Sequence, residues 1–157
     1  MVITKMTAKD CQEILTHSSI GRLGCSRDDQ PYVLPTYFVY EPNHLYGFAT
    51  EGQKIEWMRT NPKVCVEIDE VTNDSQWASV VLLGRYRELP DVPRHAEELV
   101  HARTLLAMRP TWWQTAFASR WSKSGEAVVS LFYCIEIDSM TGYRAVADFS
   151  ESRRQRV

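Results

Sequence analysis

Three strand-like runs lie between Ile20 and Thr50, and the joints between them are too short to hold a crossover helix. The first joint is Arg27, Asp28, Asp29, Gln30 and Pro31, and the second is Glu41, Pro42, Asn43 and His44. Joints of that length suit hairpins, whereas parallel neighbours need a crossover of about a dozen residues or more. The first run holds Gly21, Arg22, Leu23 and Gly24, and two glycines in one strand signal close approach by a backbone or a ligand. The run at 32–40 is rich in aromatic and β-branched residues, as strands are. Pro35 removes one ladder donor, so this strand is expected to be interrupted, bulged or at an edge. Residues 45–50 form the third strand. Further along, Val64, Val66 and Ile68 share one face of an alternating run. Residues 77–89 read as a long strand with a bulge at Gly84. Residues 128–137 read as the last strand, followed by a turn at Ser139, Met140, Thr141 and Gly142.

Helices punctuate this order. Thr7 as N-cap with Asp10 in the first turn opens one, and Cys11, Ile14 and Leu15 form its apolar stripe. Ile55 and Met58 mark a short second helix, closed by Asn61 and Pro62 because proline disfavours helix in the preceding residue. The third spans 93–108, with Ala96, Leu99, Val100, Arg103 and Leu106 on one face. An aromatic stretch, 111–121, has no clear assignment. Antiparallel meanders with outlying helices exclude a doubly wound parallel sheet. The expected fold is mainly β with peripheral helices, a closed or nearly closed six-stranded antiparallel barrel, which removes exposed strand edges.

At 157 residues, the chain is expected to form one domain over 1–149 with a polar tail over 150–157. Apolar residues at 44% and charged residues at 24% exclude disordered, collagen-like and coiled-coil classes. Eighteen Lys and Arg against twenty Asp and Glu leave no broad basic footprint, so no nucleic-acid partner is expected. Cys11, Cys25, Cys65 and Cys134 are widely spaced, without CxxC or zinc spacing, which fits reduced thiols. No apolar run approaches the ~20 residues of a membrane helix, and the start lacks a signal-peptide core. A cytoplasmic protein without a membrane partner is expected.

Hydrolase and metal motifs are absent. There is no G-x-S-x-G, H-E-x-x-H, GxGxxG or Walker sequence, and His95 and His101 fall on different helix faces. No catalytic residue and no metal site emerge. The best chemical candidate is Thr50, Glu51, Gly52, Gln53 and Lys54, which joins a strand to a helix. Helix N-terminal amides and their dipole favour an anion. Thr50 adds a hydroxyl, Gly52 lets a ligand approach, and Lys54 adds a charge that suits phosphate. An ordinary capped turn with a solvated lysine is the plainer alternative. Arg22 is the second candidate, lining a cleft with Pro35, Thr36, Trp77 and Ser79, or else snorkelling to solvent.

The succession of Gly21-Arg22-Leu23-Gly24, Pro35-Thr36-Tyr37-Phe38, Glu51-Gly52-Gln53-Lys54, Asn61-Pro62-Lys63-Val64 and Ser79-Val80-Val81-Leu82 resembles the pyridoxamine 5'-phosphate oxidase-related flavin-binding proteins, nearest their nitroimidazole-reductase-like branch. The late segment from Glu136 to Gly142 extends the resemblance. It implies a split-barrel homodimer with FMN at the subunit interface and a small-molecule substrate. By position, Arg22 and Leu23 would lie along the flavin, and Pro35 and Thr36 would contact the isoalloxazine edge. Thr50, Gly52, Gln53 and Lys54 would hold the phosphate and ribityl chain, with Trp77 and Ser79 closing the phosphate end. The family commonly carries a cation where this chain has Gln53, and many members carry a histidine where it has Gly47. The implied function is an FMN-dependent oxidoreductase. The alternatives are a non-catalytic flavin- or haem-binding protein and an F420-dependent reductase.

Overall fold

The computed structural model describes residues 1–109 and 130–147. In chain order these form β1 (Val2–Lys5), α1 (Ala8–His17), β2 (Ile20–Arg27), β3 (Gln30–Tyr37), β4 (Val39–Glu41), β5 (His44–Thr50), α2 (Gln53–Thr60), β6 (Lys63–Asn73), β7 (Gln76–Glu88), α3 (Ala96–Ala107) and β8 (Ser130–Val146). A single 3-10 turn, Pro93–His95, leads into α3. All strands pair antiparallel in the order β3-β2-β6-β7-β8-β5-β4, with β1 added on β8. The fold is mainly β with peripheral helices, as expected, but the described residues contain eight strands where six were expected.

Two local overrides explain the difference. The expected turn at Ser139, Met140, Thr141 and Gly142 is instead the middle of β8, where Ser139, Met140, Thr141 and Gly142 face Leu83, Leu82, Val81 and Val80 on β7. Continuous pairing outweighs local turn preference. Gly142 serves packing: a Cβ there would meet the Cys11 sulfur of α1 at 2.5 Å. The extended half of β8 then recruits β1, from Val2 opposite Val146 to Lys5 opposite Tyr143. The run at 32–40 divides at Phe38 rather than at Pro35. Pro35 lies on β3, which has β2 as its single neighbour among the described strands, so its missing donor can face away from the ladder.

The two ends of the sheet path, β3 and β4, are separated in the chain by Phe38 alone. The sheet must therefore curl until its ends meet, yet β3 and β4 form no ladder with each other. The barrel is split along that seam. Inside it, the Thr36 hydroxyl and the Tyr133 hydroxyl lie 2.7 Å apart, tying β3 to β8 across the interior.

Local signals otherwise act as read. Thr7 and Asp10 form a reciprocal capping box on α1. Asp28 and Asp29 both have positive φ, 50° and 61°, the two-residue hairpin conformation that matches strand twist. Leu23, Val66, Ile68, Val80, Leu82 and Tyr133 fill the barrel, and α1 and α2 pack against that core. A second cluster joins Tyr46, Phe48 and Cys134 to Leu99, Ala102 and Leu106 of α3. The expected α3 face needs correction at Val100, which is 61% exposed, while Ala102 is buried in its place. Arg103 does pack, with its guanidinium 5.1 Å from the Phe132 ring centre. Cys11, Cys25 and Cys134 are buried thiols and Cys65 is partly exposed. No described helix is long and apolar enough to cross a membrane. The aromatic stretch 111–121 and the tail 150–157 lie outside the described residues.

The β7–β8 register shifts between Leu83 and Gly84, where the bulge was expected. A Cβ on Gly84 would lie 2.4 Å from the Glu136 carbonyl oxygen. Backbone cannot step aside as a side chain can, so Gly84→Ala should cost about 1–3 kcal/mol. Gly52→Ala is the matched control, because nothing lies within 4 Å of that Cβ. Denaturant melts should separate the two variants, and equal midpoints would contradict the bulge geometry.

Candidate functional site

β5 ends at Thr50, paired with Ser130 of β8, and α2 starts three residues later. The N-cap is Gly52, with extended backbone and no capping side chain. The amides of Ile55 and Glu56 both bond the Gly52 carbonyl, at 3.0 and 3.1 Å. The Gln53 and Lys54 amides belong to the first helical turn, whose N–H groups have no partner within the helix. Thr50 is partly exposed, and Gly52 and Gln53 are exposed.

Lys54 is partly buried, and no hydrogen bond or ion pair holds its ammonium among the described residues. Burial pushes its pKa below the ordinary lysine value, while the Cys25 thiol nearby pulls the other way. Glu51, three residues before it, is turned to Arg59 instead. Among the described residues the junction thus combines amides without partners, a helix dipole and an unpaired cation, an arrangement suited to an anion.

Arg22, Pro35, Trp77 and Ser79 gather elsewhere, on the outer face of β3, β2, β6 and β7. Arg22 lies opposite Pro35 on β3 and Glu67 on β6. Its guanidinium pairs with Glu67 at 3.4 Å and closely with Asp69. The Ser79 hydroxyl donates to the other Glu67 oxygen at 2.9 Å. Trp77 sits between Val71 and Ala145 on the neighbouring strands. No hydrogen bond or ion pair joins this cluster to the junction among the described residues. An open cleft of about 530 Å³ continues along the face, lined by Gly24, Val33, Cys65, Leu83, Arg85 and Ser139 among others.

Leu23 and Thr36 point the other way. Leu23 is fully buried in the core, and Thr36 is 5% exposed and bonded to Tyr133. Their side chains serve the barrel, leaving only their backbone for a ligand on the outer face. The glycines flanking Arg22 and Leu23 are explained by β6. A Cβ on Gly21 would lie 2.9 Å from Val66, and one on Gly24 would lie 2.7 Å from the Cys65 sulfur.

Sequence reasoning missed Glu67 and Asp69, which neutralise Arg22. The signal was present, since Val64, Val66 and Ile68 face inward and an alternating strand must turn Glu67 and Asp69 outward. It also missed Tyr133, which no local pattern singles out. A Cβ on Gly47 would lie 2.5 Å from the Tyr133 Cζ, so the ring occupies the space a side chain at 47 would need.

The chain is similar to an uncharacterized protein of Rhizobium meliloti (strain 1021), 40% identical over 148 residues that cover 94% of this chain and 98% of the relative. It is also similar to the crystal structure of a FAD-binding protein from Mesorhizobium loti, at 37% identity and a TM-score of 0.74, covering 94% and 99% of the two chains. The FAD-binding protein from Mycobacterium smegmatis shares the fold, with a TM-score of 0.65 at 20% identity, covering 90% and 98%. The family model for pyridoxamine 5'-phosphate oxidase matches residues 7–144, across β2, the α2 junction and most of β8, and the chain belongs to that family.

Proposed function

We propose that this protein binds a flavin nucleotide, with the flavin phosphate on the α2 junction, and acts as an FMN-dependent oxidoreductase on a small molecule. The observation that carries this reading is Lys54: a partly buried ammonium with no partner among the described residues, beside the first amides of α2. A phosphate would supply the missing countercharge and accept from the amides. The 37%-identical Mesorhizobium loti relative is a FAD-binding protein, which supports a flavin of either kind, since FMN and FAD both carry a phosphate on the ribityl chain.

The bound flavin would supply hydride or electron transfer, leaving the protein to bind, orient and exclude water. Lys54, the Gln53 amide and the Thr50 hydroxyl would bind the phosphate end. Arg22, held by Glu67 and Asp69, would present a fixed guanidinium beside the ring system, and the exposed Pro35 would border its edge. Trp77 and Ser79 would close the site. A homodimer would cover the outer face, where Val33, Leu83 and Tyr143 stand 64%, 53% and 49% exposed. Stable obligate dimers typically bury more than ~2,000 Å². Haem finds no ligating side chain at Gly47.

Absorption spectroscopy of the purified protein, with FMN, FAD and riboflavin titrations, tests this reading. Flavin bands and tighter binding of FMN than riboflavin are expected. A Soret band, or equal affinity for riboflavin and FMN, would sink it. Light scattering at micromolar concentration should give a dimer, and a monomer would remove the shared-site part of the proposal.

Gln53→Arg refines the phosphate position. Arg can make bidentate, charge-assisted bonds to phosphate oxygens. Position 53 is exposed, so the gain should be modest, about 0.5–1.5 kcal/mol and smaller at high salt. Riboflavin should gain nothing. Equal tightening of riboflavin would move the phosphate away from this turn.

A further inference from the structure

Glu51 immediately precedes the N-cap of α2, where the helix dipole attracts a carboxylate as readily as a phosphate. A free Glu51 would therefore compete with an anionic ligand for the same amides and repel it from Lys54. In the structure Glu51 is drawn off. Arg59, in the last turn of α2, grips it with two parallel bonds, Nη1 to Oε2 at 2.9 Å and Nη2 to Oε1 at 2.8 Å. Arg59 is itself anchored, with Nε donating to Glu88 of β7 at 2.5 Å and the Tyr86 hydroxyl donating to the same Glu88 oxygen at 2.9 Å. Tyr86 is buried. The fork thus hangs from the barrel wall through Nε, and its Nη1 and Nη2 donors are taken up by the Glu51 carboxylate.

We infer that Arg59 is a positioning residue of the anion site: it holds the Glu51 carboxylate away from the Gln53 and Lys54 amides and so keeps the turn open to phosphate. The inference rests on the phosphate reading above. The pair is bidentate and networked through Glu88, so it contributes some stability, but solvent screening limits that share because Arg59 and Glu51 are 42% and 54% exposed. What the pair sets is where a negative charge sits.

Arg59→Gln should free Glu51 and weaken FMN about 3- to 10-fold relative to riboflavin, an effect that shrinks at high salt. Adding Glu51→Gln should restore the FMN-to-riboflavin ratio, because the intruding charge is gone while the anchor is still missing. That rescue is the readout a merely structural arginine would not give. Arg59→Lys carries the same test if the glutamine variant fails to fold. It keeps the charge but loses the fork, so the ratio should drop by a smaller factor. Lys54→Ala separates the two ideas. If it leaves the ratio unchanged, the phosphate reading itself is wrong. If it lowers the ratio while both Arg59 variants weaken FMN and riboflavin equally, or not at all, the phosphate reading stands and the role given to Arg59 falls.

Discussion

Lys54→Ala is expected to weaken FMN by roughly 10- to 150-fold, because it removes one charge-assisted bond worth about 1.5–3 kcal/mol. Riboflavin, without a phosphate, should bind both proteins alike. The pH dependence gives an independent check. Burial holds the Lys54 pKa below the ordinary 10.5 in the free protein. A bound phosphate favours the ammonium and draws the pKa back up. FMN affinity should therefore be full at neutral pH and fall as pH rises through the depressed value. Stability of the free protein should move oppositely. Between the folded pKa and 10.5 the unfolded chain binds more protons, so folding is favoured as pH climbs. Lys54→Ala should flatten both trends. An unchanged FMN titration in a folded variant would make Lys54 an ordinary surface lysine.

Gly47→Ala should destabilise the fold by about 2–4 kcal/mol, the sum of overpacking and a buried hydroxyl losing its partner. Gly47 and Tyr133 are directly opposed on β5 and β8. The added methyl would lie 2.5 Å from Cζ and 2.6 Å from the hydroxyl oxygen. That ring is 1% exposed and has nowhere to go. Any shift breaks its bond to Thr36, which stitches β3 to β8 where the barrel has no ladder. Urea melts of Gly47→Ala, Tyr133→Leu and the double variant form the test. Leucine lacks the offending atoms, so the double variant should be more stable than the summed single effects predict. Strict additivity would show that the ring does not occupy this space. The same contact explains why a side chain at 47, histidine included, is incompatible with this chain's core.

Much of the architecture was legible because its causes are local. Thr7 and Asp10 cap a helix through atoms three residues apart. Asp28 and Asp29 fit a tight hairpin through their own backbone angles, and Asn61-Pro62 ends α2 by steric clash with the preceding residue. Alternation on β6 sorts its residues between core and solvent. The turn proposed to hold phosphate could be singled out for the same reason, since a strand, a glycine and a lysine at a helix start are consecutive in the chain.

What local chemistry could not decide was everything set by a distant partner. Ser139, Met140, Thr141 and Gly142 have turn-like composition, yet their ladder with β7 makes them strand, because many aligned hydrogen bonds outweigh weak local propensities. Gly21, Gly24, Gly47 and Gly142 look alike in sequence, but β6, Tyr133 and Cys11 fix what each is for. Leu23 and Thr36 were expected beside a ligand and face the core, since strand parity around the curled sheet assigns the inner side. Arg22 met Glu67 and Asp69, and Arg59 met Glu51 and Glu88, through side chains brought together by tertiary packing. Sequence by itself marked the helix caps, the tight hairpin and the lysine at the start of α2, because those depend on neighbours within a few residues. Only the tertiary structure decided which charges are already spent and which remain free, because Coulomb partners are chosen by distance in space.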